Sequence, residues 1–124
     1  MAANVLIVDD SAAIRKILAR VLQQIEIITG SIFEAGDGLQ ALDVLRSNPV
    51  ALVLSDINMP NMDGIEFLRE MRANDSWRKV PVVMITTEGS QSKVMEAVEA
   101  GASGYVRKPF TADQIKEKLA SLMI

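Results

Sequence analysis

Val5-Leu6-Ile7-Val8-Asp9-Asp10 is a run of four apolar residues closed by two acids. Its shortness and unbroken hydrophobicity suit a strand buried on both faces, as in a parallel sheet, where apolar and polar residues do not alternate. The same pattern recurs further along. Ala51-Leu52-Val53-Leu54-Ser55 ends at Asp56, and Val80 to Ile85, entered through Pro81, ends at Thr86-Thr87. Two shorter runs fit the same role: Ile32-Phe33, leading to Ala35-Gly36, and Gly104-Tyr105-Val106, leading to Lys108-Pro109.

The segments between these runs have helical periodicity. Ile14, Ile17, Leu18, Val21, Leu22 and Ile25 share one face, with Arg15, Lys16, Arg20 and Gln24 opposite. Asp37-Gly38-Leu39-Gln40 reads as a capping box that opens a helix through Ala41, Leu42 and Leu45, stopped by Asn48-Pro49. Asp63 with Glu66 opens a helix carrying Ile65, Leu68 and Met71. Ser90 to Ala100 forms another, closed by Gly101 as a left-handed cap, and Thr111 with Gln114 caps a last one bearing Ile115, Leu119 and Leu122. Five strands alternate strictly with five helices, which implies a parallel sheet with helices on both faces. No repeat, linker or low-complexity stretch divides the chain, so residues 1–124 are expected to form one domain.

Composition narrows the chemistry. The 124 residues are 49% hydrophobic and 23% charged, an ordinary balance for a globular domain, with a net charge of −3 and no basic block to hold nucleic acid or an anionic membrane. Cysteine and histidine are both absent, which excludes disulfides, thiolate or imidazole metal sites and a histidine general base. No apolar run approaches the ~18 residues of a membrane span and no basic segment precedes Val5, so the expected compartment is the cytoplasm.

In open α/β sheets, ligands bind outside the carboxyl ends of the strands, where the strand order reverses. If the first and third strands are neighbours, as in the order 2-1-3-4-5, Asp9, Asp10 and Asp56 meet at one rim, with Thr86 and Lys108 beyond them. The second strand ends in Ala35-Gly36, which carries no chemistry. Three close carboxylates must be protonated, paired or bound to a cation. An all-oxygen, incomplete cage suits Mg²⁺ or Mn²⁺. A cation with the Lys108 ammonium and the Thr86 hydroxyl would suit the oxygens of a transferring phosphoryl group, and aspartate is a competent acceptor. Each residue alone has a plainer reading. Asp9 or Asp10 would cap the first helix, Asp56 would form an Asx turn, Thr86 would be a strand-edge β-former, Tyr105 a half-buried strand aromatic and Lys108 a solvated charge. Capping does not explain why acids follow the first and third strands while Thr and Lys follow the fourth and fifth.

The residues that carry this pattern are Val5 to Asp10, Leu54-Ser55-Asp56-Ile57-Asn58-Met59-Pro60-Asn61-Met62-Asp63-Gly64, Val82 to Thr86, and Gly101 to Phe110. In combination and order they resemble the receiver domain of bacterial two-component response regulators, of the stand-alone chemotaxis type. The resemblance spans essentially the whole chain and implies a flavodoxin-like (βα)5 three-layer sandwich of strand order 2-1-3-4-5. It implies that Asp56 is the phosphoacceptor and that Asp9, Asp10, Asp56 and the backbone carbonyl of Asn58 hold Mg²⁺, with Mn²⁺ as substitute. Thr86 and Lys108 would grip the phosphoryl group, Lys108–Pro109 would be a cis peptide, and Thr86 with Tyr105 would form a switch pair. Asn58, Thr87 and Glu88 would tune the lifetime of the acyl phosphate. The resemblance further implies a regulator, not an enzyme in its own right, with limited self-catalysed phosphotransfer and dephosphorylation. A sensor histidine kinase would be the phosphodonor. A flagellar motor switch or other output protein would dock on the face built from the fourth helix, fifth strand and fifth helix, where Val94, Tyr105 and Lys118 are expected. Neither nucleic acid binding nor membrane insertion is implied; the chain would be a monomer, with dimerisation on activation an option. Because Ile124 follows closely on the last helix, output is expected to pass to a separate protein, unless the chain is cut from a longer one.

Three other functions compete, the first being a degenerate receiver that acts only as a docking module, against which the complete set of Asp9, Asp10, Asp56, Thr86 and Lys108 argues. A haloacid-dehalogenase-type phosphatase also uses an aspartate after a strand, but needs a second acid two residues later, where this chain has Asn58. A flavodoxin-like nucleotide binder needs a Gly/Ser/Thr-rich phosphate loop after the first strand, where Asp9-Asp10 would repel phosphate.

Overall fold

The computed structural model describes residues 4–25, 30–87 and 89–122. Strands and helices alternate as β1 (Val5–Val8), α1 (Ala12–Ile25), β2 (Ile32–Ala35), α2 (Gly38–Ser47), β3 (Leu52–Ser55), α3 (Gly64–Ala73), β4 (Val82–Thr86), α4 (Gln91–Ala100), β5 (Gly104–Arg107) and α5 (Ala112–Leu122). All pairings are parallel, in the order β2-β1-β3-β4-β5. Among the described residues no helix is long and apolar enough to cross a membrane.

Period-two alternation divides the strand side chains between two cores. Leu6, Val8, Val53 and Met84 pack with Leu42 and Leu45 of α2, Phe67, Leu68 and Met71 of α3, and Ala97 of α4. Val5, Ile7, Leu52, Leu54, Val83 and Ile85 pack with Leu18 and Leu22 of α1 and Ile115 and Leu119 of α5. Two helices therefore cover one face and three the other, the distribution that right-handed crossovers give for this strand order. Both cores bear on the central strands, which explains why β1, β3 and β4 are buried at every residue and apolar up to the last residue of β3 and β4.

The helix starts are built as their sequences imply, with one variation. Thr111 and Gln114 form a reciprocal box: the Gln114 N–H donates to Thr111 Oγ1 at 3.1 Å and the Thr111 N–H to Gln114 Oε1 at 2.9 Å. Asp63 accepts the N–H groups of Ile65 and Glu66. Asp37 accepts the Gln40 N–H, but Gln40 Oε1 reaches past the cap to the N–H of Gly36, one residue earlier than in a standard box. Gly101 closes α4 at φ 106°, in the left-handed region.

The fourth strand begins at Val82, two residues later than the apolar run from Val80 suggests. Arg72 explains the delay. Its guanidinium donates to the carbonyl of Val80 at 2.8 Å and twice to that of Gly101, while Pro81 has no N–H to give the sheet. The ladder therefore opens at the Val53–Val82 pairing. At its other end, Thr86 is the last residue of the strand and not the first of the loop.

Phe67 is fully buried between α3 and the sheet and carries the largest wholly enclosed side chain. Phe67→Ala is expected to lower unfolding stability in urea by about 3–5 kcal/mol with an unchanged m-value. A loss below about 1 kcal/mol would mean that α3 does not pack on the central strands in this way.

Candidate metal and phosphoryl site

Register decides what meets at the carboxyl rim. Val8 stands level with Ala35 on one side and Ser55 on the other. The ladder then runs one residue beyond each strand: the Asp9 N–H donates to the Ala35 carbonyl at 3.0 Å, the Asp56 N–H to Val8 at 2.9 Å, and the Lys108 N–H to Thr86 at 2.9 Å. Asp9, Asp56 and Lys108 thus leave the sheet from hydrogen-bonded backbone, not from free loops. Carboxylate oxygens of Asp9, Asp10 and Asp56 all lie within 4.8 Å of one another.

The three acids differ in environment. Asp9 is 2% exposed and Asp56 8%, whereas Asp10 faces solvent. Asp9 Oδ1 accepts the Ser11 N–H at 2.9 Å, and Asp9 Oδ2 lies 2.7 Å from Lys108 Nζ. Asp56 Oδ1 accepts the Ile57 N–H at 2.7 Å, and Asp56 Oδ2 lies 3.3 Å from the same ammonium. One lysine therefore bridges two nearly buried carboxylates from the far edge of the sheet.

The electrostatics follow from this crowding. Burial is the largest influence on Asp9 and outweighs the Lys108 contact and the Ser11 N–H, so its carboxyl titrates above the ordinary value of 3.8. Burial alone would lower Lys108, but its bonds and charge contacts with Asp9 and Asp56 overcome that, and its ammonium titrates above 10.5. A salt bridge usually depresses the acid. Here the acid rises because a single cation shared between two enclosed carboxylates does not replace the water they have lost.

The remaining candidates surround this pair. Thr86 is completely buried at the end of β4. Tyr105 stands opposite Met84 on β5 and packs half-buried against the same core, so Thr86 and Tyr105 occupy one face of adjacent strands. Asn58 and Thr87 are exposed in the loops after β3 and β4. Glu88 lies outside the described residues. The Lys108–Pro109 peptide is cis. On the opposite side of Asp9 stands Arg15, which helical periodicity assigns to the solvent side of α1. Its Nη1 donates to the Asp9 carbonyl at 2.6 Å and its Nε pairs with Glu34 at 2.9 Å, tying the turn after β1 to β2. The clue in the sequence is its place one turn into the helix that follows the acids.

All ligands within reach are hard oxygens, the cage is open on the Asp10 side, and the charge is only partly offset by Lys108. A small divalent cation fits that donor set.

The protonated Lys108 holds the site together without metal. Stability that depends on a raised pKa is complete below the unfolded value, here 10.5, and is lost as pH rises through the higher folded value. In chelator, Lys108→Met is expected to be less stable than the native chain by about 1–3 kcal/mol, a difference that stays flat from neutral pH to about 10 and narrows above it. A difference that widens with alkalinity in urea unfolding would contradict the assignment.

The family model of the response regulator receiver domain matches residues 5–120. The chain is 42% identical over 116 residues to chemotaxis protein CheY-3 of Vibrio cholerae, covering 94% of this chain and 88% of the relative. It is 40% identical over 119 residues to chemotaxis protein CheY of Pseudomonas aeruginosa, covering 96% and 94%. The solved structure of Vibrio cholerae CheY4 superposes with a TM-score of 0.88 at 34% identity, over 98% of each chain. A parallel sheet of this order, an acid cluster at its carboxyl rim and these relatives together make the chain a member of the response regulator receiver domain family.

Proposed function

We propose that the chain is a phosphorylation-dependent signalling switch in which Asp56 accepts a phosphoryl group. The observation that supports this most strongly is the meeting of Asp9, Asp10 and Asp56 within 4.8 Å beside the Lys108 ammonium. Asp9, Asp10, Asp56 and the Asn58 carbonyl would hold Mg²⁺, or Mn²⁺ in its place. When bound, the cation offsets the negative charge of an incoming phosphoryl group.

The chain's own groups account for the rest. An Asp56 carboxylate oxygen forms the new P–O bond as the bond from phosphorus to the donor breaks. The electron pair leaves with the donor, which takes a proton from water, and Asp56 becomes an acyl phosphate. Lys108 lies 3.3 Å from Asp56 Oδ2 and has only to turn from Asp9 to meet a phosphoryl oxygen. The Thr86 hydroxyl would bind another, and its movement would free space on the face shared with Tyr105. Exposed Asn58 and Thr87, with Glu88, would set the access of hydrolytic water.

A sensor histidine kinase would donate the phosphoryl group. The readout would run through α4, β5 and α5, where a groove of about 430 Å³ is lined in part by Tyr105, Arg107, Glu117 and Lys118. Because the two curated relatives are named chemotaxis proteins, a flagellar motor switch or another chemotaxis output protein is the partner class proposed. The switch would act in the cytoplasm as a monomer, with pairing on activation as a further option. It would catalyse only its own phosphorylation and dephosphorylation.

The test uses the native chain, Mg²⁺ and acetyl phosphate. Intact-protein mass spectrometry is expected to show one added phosphoryl group, absent in Asp56→Asn and in chelator. Steady phosphate release from unrelated phosphomonoesters would favour the phosphatase reading. The sequence has one tyrosine, so a ¹³C-tyrosine label reports on Tyr105 alone. Its ring resonance is expected to shift on phosphorylation of the native chain but not of Thr86→Ala. An unmoved signal in the phosphorylated native chain would refute the switch pair.

A further inference from the structure

The carboxyl end of β2 supplies no side chain to the acid cluster, yet the turn that follows it grips the loop between β3 and α3. Asp37 is 4% exposed and uses both oxygens: Oδ1 accepts the Gln40 N–H at 2.9 Å, capping α2, and Oδ2 accepts Asn61 Nδ2 at 2.8 Å. Beside this contact the Gly38 N–H donates to the Met62 carbonyl at 3.1 Å. Gly38 has no room for a Cβ because the Met62 side chain fills that space. Asn61 is the one described non-glycine residue with positive φ, at 66°, a conformation that asparagine tolerates better than most residues.

The same loop is cross-braced internally. The Gly64 N–H donates to the Ile57 carbonyl at 2.8 Å and the Met62 N–H to the Pro60 carbonyl at 2.7 Å. Gly64 lies so close beneath the Asp56 carbonyl that a Cβ would collide with it. Asn58 thus sits between two braced peptides. A backbone carbonyl can serve as a metal ligand only where the surrounding chain holds its direction, since it has no side-chain torsion with which to adjust.

From this arrangement we infer that Asp37 and Asn61 are a positioning pair, which holds the loop after β3 so that the Asn58 carbonyl faces the cation. The inference rests on the cation site proposed above. The N-terminus of α2 then acts on metal affinity without touching the metal, and β2 contributes to the site through its turn.

The experiment compares Mn²⁺ affinity by electron paramagnetic resonance with thermal unfolding in chelator. Asn61→Asp keeps the side-chain shape but sets two carboxylates against each other; it is expected to weaken Mn²⁺ binding about 10-fold or more. Combining it with Asp37→Asn restores a donor and an acceptor with polarity reversed, keeps the net charge and leaves an oxygen to cap Gln40. That double variant is expected to recover native affinity to within about 3-fold. Should Asn61→Asp fail to fold, Asn61→Gly removes the amide while tolerating positive φ, and is expected to lose affinity in the same direction. If the single variants melt earlier but bind Mn²⁺ as tightly as the native chain, the pair is merely structural and the inference fails. It also fails if the double variant stays as weak as Asn61→Asp. A native chain that takes up no Mn²⁺ would overturn the cation site itself, a result distinct from both.

Discussion

Repulsion among Asp9, Asp10 and Asp56 is the constraint around which the molecule is arranged. With Asp9 and Asp56 oxygens within 4.8 Å, their mutual repulsion is about 3 kcal/mol or more at an effective dielectric near 20. A fold chosen for stability alone would separate them. Parallel pairing of β1 with β3 in matched register prevents that, because it delivers both residues at one level from hydrogen-bonded backbone. Lys108, from the end of β5, offsets part of the charge, but Asp9 still titrates above its ordinary value, first because it is buried and only last because of the Asp56 charge. In the function proposed above, cation uptake and phosphoryl acceptance would be two ways of using the same excess of negative oxygen.

The site reaches the surface through the sheet's own geometry. Thr86 ends β4, and Tyr105 lies across from Met84 on the next strand, on the face that packs against α3 and α4. In the switch proposed above, a change at the rim would have only one strand to cross before it met the side chains of α3 and α4. Arg72 limits what moves there. By donating to the carbonyls of Gly101 and Val80, it fixes the C-terminal end of α4 to α3 and to the entry of β4. Its half-buried guanidinium, lowered in pKa by burial, has carbonyl partners and no acid within this contact. The opposite, N-terminal end of α4, capped by Ser90, is the one nearest Thr86 and Thr87 along the chain.

Much of this was legible in the sequence. Unbroken apolar runs ending in Asp9-Asp10 and Asp56 specified buried parallel strands and the residues at their tips, because period and punctuation are local properties. The Thr111–Gln114 box and Gly101 were legible for the same reason. What lay hidden was non-local. Val80 looks like a strand residue until Arg72 takes its carbonyl. Arg15 looks solvated until its fork closes on Asp9 and Glu34. Asp37 looks like a helix cap and nothing more, since the Asn61 amide that occupies its second oxygen is 24 residues away. The raised titration of Asp9 depends on burial, which no spacing rule conveys.

The central claim is that the acid cluster is a cation seat, and anomalous X-ray diffraction from crystals soaked in Mn²⁺ tests it most directly. The expected result is one strong manganese peak among Asp9, Asp10 and Asp56, with the Asn58 carbonyl in its coordination sphere and Lys108 turned away from Asp9. A map without a peak there, with Lys108 still bridging Asp9 and Asp56 at millimolar Mn²⁺, would contradict it.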